Sequence, residues 1–201
     1  REGGVVWPEE KDKLLYRTVL PKDFLKTAES HGVRESILVE ASPRIEDNQW
    51  LLDLANKSPS ILGVVGNLPV GDLEFRGHLE LFAKNPLFRG IRIREKELVD
   101  LAGVSYVEDL RYIAAQGLSV DVLGGPAMLP NIVKLTETVP TLRIIINHFP
   151  FDASTDSFVR DAAERAMENL ATRPNVFAKV SNIVRKIAPE FQHAATYRSR
   201  V

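Results

Sequence analysis

Six short apolar runs recur along this chain at nearly even spacing, and they constrain its fold more than any other feature. They are "SILVEA" (36–41), "ILGVVG" (61–66), "GIRIR" (90–94), "LSVDVL" (118–123), "RIIINH" (143–148) and "VFAKVS" (176–181). Each is close to continuously hydrophobic, with no strict alternation. That pattern marks a strand buried on both faces, as in a parallel sheet. Their centres fall roughly 25 to 33 residues apart, the length of one strand plus one helix.

Amphipathic segments fill the gaps. "PKDFLKTAESHG" opens on Pro21, sets Phe24, Leu25 and Ala28 on one face and stops at Gly32. "EDNQWLLDLANK" is expected to pack Trp50, Leu51 and Leu54, and "EFRGHLELFAKN" Phe75, Leu79 and Phe82. "SYVEDLRYIAAQG" runs Val107, Leu110, Ile113 and Ala114 and ends at Gly117, and "MLPNIVKLTETVP" presents Leu129, Ile132, Val133 and Leu135. "DSFVRDAAERAMENLA" starts from an Asp156/Ser157 cap and carries Phe158, Ala162, Ala166 and Leu170.

Strict alternation of strand and helix means a parallel sheet covered by helices. Residues 1–35 hold a loop and a helix with no strand before them, and "IVRKIAPEFQHAATYRSRV" holds no strand either. Six strands plus one at each end make eight. The expected fold is therefore α/β, a (β/α)8 TIM barrel whose first and last strands are absent from residues 1–201, a single domain incomplete at both ends. Such a barrel typically needs about 250 residues. Two missing strands would leave two raw sheet edges, an aggregation hazard, which favours a longer parent protein over a degenerate one. An open doubly wound sheet would instead carry a glycine-rich phosphate loop after an early strand, and "VEASPRIED" is not one.

Composition narrows the class. The 201 residues are 44% hydrophobic, enough for one substantial core. A net charge of −1 without a basic stripe argues against nucleic acid or a membrane surface as partner. Cysteine is absent, which excludes disulfides, thiolate zinc sites and a cysteine nucleophile and fits a cytoplasmic setting. No apolar run approaches the ~18 residues of a membrane span, and "REGGVVWPEEKDK" has no signal-peptide core. The expected partner is a small-molecule substrate; homo-oligomerisation stays open.

In a barrel the chemistry sits at the C-terminal ends of the strands. Those ends read Glu40, Gly66/Asn67, Arg92 or Arg94, Asp121, His148 and Lys179/Ser181. A barrel mouth is polar by default, so the weight lies on the whole ring. His148 follows three isoleucines and Asn147 and is either a metal ligand or catalytic group, or a polar plug on a core strand. Asp121 lies between Val120 and Val122, where a carboxylate is costly unless paired; Glu40 is similar. Arg92 suits a bidentate grip on a carboxylate or hydroxyl pair, or neutralises Asp121. Lys179 faces inward if Ala178 and Val180 face the helices. Trp7 in "GVVWPEE" either caps the mouth or acts as a hydrophobic latch. His31, His78 and His193 read as surface residues.

Taken together, "GVVWP", "LPKDF", "ILVEASP", "DNQWLLDLA", "ILGVVG", "NPLFRGIR", "LSVDVL", "LPNIVKLTETVPTLRIIINHF" and "PNVFAKVS" resemble the amidohydrolase-related (amidohydrolase 2) metal-dependent hydrolases, in particular the lactonase branch. Each motif is short; their order and spacing over about residues 3–181 carry the resemblance. It implies a barrel whose site is a His-x-His pair on the first strand, a later histidine matching His148, and an aspartate on the last strand. The pair and the aspartate would lie outside residues 1–201. It also implies a divalent ion, zinc or manganese foremost, although members of the branch work with and without metal. The implied reaction is opening of a sugar-type lactone. Arg92, Asp121, Glu40, Trp7 and Lys179 are the substrate-binding candidates, and His148 is the catalytic and metal-ligand candidate. Glu97 and Phe151 stand where a dicarboxylate-binding relative has basic residues, which favours a neutral polyol lactone. "NHFPFDAS" lacks the glycine expected soon after the histidine. A decarboxylase of the same superfamily and a non-catalytic barrel remnant are the alternatives.

Overall fold

The computed structural model describes residues 8–148 and 157–181, apart from the side chains of residues 99–102, 157 and 160. Six strands lie in one sheet in chain order: β1 (Ser36–Val39), β2 (Ile61–Gly66), β3 (Phe88–Arg94), β4 (Ser119–Leu123), β5 (Arg143–Asn147) and β6 (Val176–Ala178). The helices alternate with them: α1 (Pro21–Ala28), α2 (Glu46–Asn56), α3 (Phe75–Ala83), α4 (Val104–Ala115), α5 (Leu129–Thr138) and α6 (Ser157–Ala171). The expected parallel α/β order of six strand–helix units is present. Among the described residues, no helix is long and apolar enough to cross a membrane.

The chain forms two compact units, Arg1–Pro69 with Glu74–Gly90, and Val70–Leu73 with Ile91–Val201. In the first unit, β1 and β2 pair in parallel with Val39 opposite Val65, and the Glu40 amide extends the ladder by donating to the Val65 carbonyl at 2.9 Å. Ile61, Val64 and Val65 of β2 are buried, as are Phe75, Leu79 and Phe82 of α3. The spacing of those three, four residues and then three, puts them on one stripe of the helix. The Phe82 ring stacks on Phe88 with centroids 5.9 Å apart.

In the second unit, β4 and β5 pair in parallel from Ser119 opposite Arg143 to Leu123 opposite Asn147. β5 and β6 pair from Ile144 opposite Val176 to Ile146 opposite Ala178. Val120 and Val122 alternate with Ser119 and Asp121, and all four are buried, so β4 is covered on both faces. Val107, Leu110 and Ile113 of α4 are buried, as are Leu129, Ile132 and Leu135 of α5.

Three helices each leave one expected core residue exposed, and one of them, α2, is rotated from its expected face. In α2, Asn48, Leu52 and Ala55 are buried and Trp50 is 59% exposed. The reason is Asn48. Its carboxamide donates to the carbonyls of Ile45 (3.0 Å) and Asn67 (2.9 Å) and accepts the Asn67 amide (2.9 Å). Those bonds fix the helix's rotation, and two residues on, about 200° round, Trp50 faces outward. In α6 the buried stripe is Ala163, Ala166 and Leu170, which leaves Phe158 77% exposed and Ala162 half-buried. Phe24 of α1 is also exposed. Strands differ only at their ends. β3 starts two residues early, β4 one residue late, β1 stops at Val39, β5 stops before His148, and β6 is three residues long. The expected Asp156/Ser157 cap lies outside what is described.

The rotation of α2 is testable. Leu52→Ala should cost about 2–5 kcal/mol in urea unfolding, because a fully buried side chain is truncated. Trp50→Ala should change stability by no more than about 0.5 kcal/mol. Equal losses would place Trp50 in the core and refute the assigned face.

Candidate functional site

The site builds from β4 upward. Asp121 is 1% exposed in the middle of β4, opposite Ile145 of β5, which is opposite Phe177 of β6. Neighbours in a parallel register share a face, and side chains two residues apart along a strand share it too. Leu123, Asn147 and the position after β6 held by Lys179 therefore belong to the same face. The backbone continues that register, since the Lys179 amide donates to the Ile146 carbonyl at 2.9 Å. From there the Lys179 ammonium crosses β5 and forms a short ion pair with the Asp121 carboxylate. β4 and β6 stand about 10 Å apart, two strand spacings, a gap that only a long side chain spans. Lys179 thus faces the interior row, as one of its two readings required. The cation brought to Asp121 is this lysine. Arg92 lies half-buried on β3 between the buried Ile91 and Ile93, on the opposite face of the strand from both.

His148 ends β5 in the left-handed region, with φ 63°, the one non-glycine residue with positive φ among those described. An L-residue pays roughly 1–2 kcal/mol there. The turn breaks the strand's alternation and brings the imidazole to Ser181, two residues beyond Lys179, with Nδ1 and the serine Oγ 2.8 Å apart. A hydroxyl both donates and accepts, so Ser181 serves either imidazole tautomer. Two polar pairs thus tie three adjacent strands: Asp121–Lys179 from the middle of β4 to just past β6, and His148–Ser181 just past the ends of β5 and β6.

The loops beside them are fixed by backbone-directed carboxylates. Glu95 Oε2 accepts the Gly125 amide at 2.9 Å, and Glu97 Oε2 accepts the Arg94 amide at 2.5 Å. A Cβ on Gly124 would lie 2.6 Å from the Glu95 Cβ and 2.9 Å from Met128 Sδ, so only glycine lets this loop pass. Arg94, Glu95, Lys96, Leu123, Gly124 and Asn131 line a cleft of about 590 Å³ over the ends of β3 and β4. A ligand the size of a monosaccharide fits such a volume.

In the first unit, Glu40 follows β1 and is buried, and the Asn48 carboxamide clamps Asn67 after β2. A Cβ on Gly66 would come within 2.8 Å of the Phe88 ring. Another cleft of about 530 Å³ lies by Arg34, Glu35 and Ser58 to Ser60, at the N-terminal ends of β1 and β2. Barrel chemistry does not occur at that end. Trp7 and Phe151 lie outside the described residues.

The polar groups that the sequence reading passed over are Asn147, Asn48 and Glu95. Asn147 stood beside His148 in the same quoted run, but an asparagine after three isoleucines has no spacing signature. Among the described residues, no three histidine, aspartate or glutamate side chains come together to hold an ion. His148 is one ligand candidate, and the Asp121 carboxylate is taken up by the Lys179 ammonium. These residues alone do not fit a metal site.

Alternating strands and helices with polar residues gathered at the strand C-termini define this chain as a portion of a (β/α)8 barrel. The amidohydrolase family model matches residues 8–201, and the chain belongs to that family. It is 31% identical to L-fucono-1,5-lactonase of Burkholderia ambifaria over 191 residues, covering 91% of this chain. The chain spans 64% of that curated relative's length. The fold is similar to a Burkholderia multivorans amidohydrolase solved with bound zinc, with TM-score 0.83 and 19% identity over 99% of this chain and 72% of that one. It is also similar to a probable 2-pyrone-4,6-dicarboxylic acid hydrolase of Acinetobacter baumannii with citric acid bound, with TM-score 0.68 and 16% identity over 94% and 73%.

Lys179→Met should destabilise the protein by about 3 kcal/mol, because it strands a buried carboxylate. Adding Asp121→Asn should restore at least about half of that loss, since the carboxylate that needed a partner is gone. A double-mutant cycle in urea reads both. Additive losses would mean that the pair is not coupled.

Proposed function

We propose that this chain forms the substrate-binding portion of a hydrolase that opens a neutral, hydroxylated lactone. The observation that carries the reading is the row of polar pairs, Asp121–Lys179 and His148–Ser181, which reaches from the middle of β4 to the ends of β5 and β6. The 31% identity to L-fucono-1,5-lactonase supports the same class. The charge balance supports a neutral substrate. Lys179 is matched by Asp121, and Glu97 is bound to its own strand's backbone. Neither arrangement leaves the paired cations that a dicarboxylate would need.

The reaction adds water across the ester. A hydroxyl oxygen bonds to the carbonyl carbon, the ring C–O bond breaks, and the ring oxygen leaves as an alcohol after receiving a proton. His148 sits where a proton carrier is useful. With Nδ1–H donating to Ser181, Nε2 carries the lone pair that takes a proton from the attacking water. The imidazolium so formed, with Nδ1–H still donating to Ser181, then delivers that proton from Nε2 to the leaving ring oxygen. Lys179, held by Asp121, offers N–H donors toward the developing oxyanion. Arg92 is proposed to orient a ring hydroxyl, and Glu40 and Trp7 are each proposed as substrate-binding residues. A cytoplasmic setting and an assembly of like chains belong to the same proposal, as does a divalent ion completed by ligands beyond those described.

The test is a panel of sugar 1,4- and 1,5-lactones, 2-pyrone-4,6-dicarboxylate and aromatic carboxylic acids, followed by proton release and by carbon dioxide evolution. The neutral sugar lactones should turn over with kcat/KM at least about tenfold above the dicarboxylate. His148→Asn should lower kcat by about 10²–10⁴-fold with the unfolding midpoint held. Carbon dioxide release without lactone opening would make the protein a decarboxylase; no turnover of any substrate would leave a binding barrel.

A further inference from the structure

The structure points to Asn147 as a recognition group for a pair of neighbouring hydroxyls on the ring of the bound lactone. The inference rests on the lactonase reading and adds a residue and a substrate feature to it. Asn147 is 1% exposed, and neither Nδ2 nor Oδ1 has a hydrogen-bond partner among the described residues. Buried carboxamides are normally saturated, because each unpaired donor or acceptor forfeits its bond to water. Asn48, the other buried carboxamide among the described residues, and the half-buried Asn175 follow that rule. Asn48 makes three hydrogen bonds, and Asn175 donates to the carbonyls of Pro140 and Leu142. Asn147 departs from it, and it does so at the last residue of β5, next to His148 and on the face that carries Asp121 and Lys179.

An apolar residue of the same size would pack there at no polar cost, as Leu123 does in the adjacent register position. The carboxamide therefore has a use that packing does not supply. It presents one donor and one acceptor side by side in a plane. Two neighbouring hydroxyls complement it, one oxygen accepting from Nδ2 and the other hydroxyl donating to Oδ1. A carboxylate would satisfy Nδ2 and set its negative charge against Oδ1. Asn147 thus selects a polyol ring and rejects a carboxylated one, which is the preference that the Asp121–Lys179 charge balance supports.

The experiment compares the wild type with Asn147→Leu on a hydroxylated sugar 1,5-lactone and on unsubstituted δ-valerolactone. The ratio of the two kcat/KM values should fall at least about tenfold in the variant, mainly through KM for the sugar lactone. The unfolding midpoint should hold or rise, because an unpaired amide has been replaced by a packed side chain. An unchanged ratio, or a midpoint that falls, would overturn the inference and make the amide structural. If the wild type opens neither lactone, calorimetry with the unreactive polyhydroxylated lactam decides separately. Binding weakened at least about tenfold by Asn147→Leu upholds the role of the amide while the lactonase reading fails. Wild-type binding that is absent, or that the substitution leaves intact, overturns it.

Discussion

The Asp121 carboxylate is the constraint on which the polar end of the second unit depends. A charge fully inside a strand is stable only beside a counter-charge. That counter-charge comes from β6, across an intervening strand. The ion pair therefore requires β4, β5 and β6 to hold one register, since slipping β6 by a residue would turn Lys179 to the other face. The same register carries Ser181 to His148. One electrostatic requirement in the middle of a strand thus sets the positions of three other polar groups at the strand ends.

Around that face the fold is conventional. Ile144 and Ile146 on β5 and Val120 and Val122 on β4 are buried on the alternate positions, and α4 and α5 bury apolar stripes. These groups owe nothing to function, and they hold the strands still. Backbone-directed side chains then fix the loops. Glu95 holds Gly125, Glu97 holds Arg94, and Asp109 Oδ2 accepts the Gly71 amide at 3.0 Å. Each replaces a flexible connection with a defined one, and a site built on strand ends needs that to present groups at fixed distances.

Much of this was legible in the sequence, for identifiable reasons. Short runs such as "LSVDVL" and "RIIINH" announce strands because they are rich in Val, Ile and Leu, too short for a helix, and bounded by turn residues. Phe75, Leu79 and Phe82 announced their helix face because large residues at helical spacing have one way to be buried. Trp50 misled because residue size outweighed phase, and the phase of α2 is set by Asn48, through hydrogen bonds to a loop 19 residues away. Phe158 misled in the same way, since α6 buries small alanines. At the site, Asp121 and Lys179 were legible as strand-end charges, but their pairing was not, because it joins residues 58 apart across a third strand. Asn147 was illegible because its distinction is a lack of partners, and only three-dimensional placement shows that.

Three unfavourable features of the second unit lie close together among the described residues. A left-handed histidine, an unpaired carboxamide and a buried charge pair fall on three neighbouring strands or just past their ends. Chance strain would spread over loops and helix ends as readily. Each feature has a cheaper replacement. Glycine at 148 would remove the backbone strain, leucine at 147 the unpaired amide, and an apolar pair the need to bury charge. Local costs that coincide at the C-terminal end of a parallel sheet, where such folds place their chemistry, are what a binding site looks like before its ligand is known. On that ground the strand-end row is where the proposed site belongs, and the apolar faces behind it are its support.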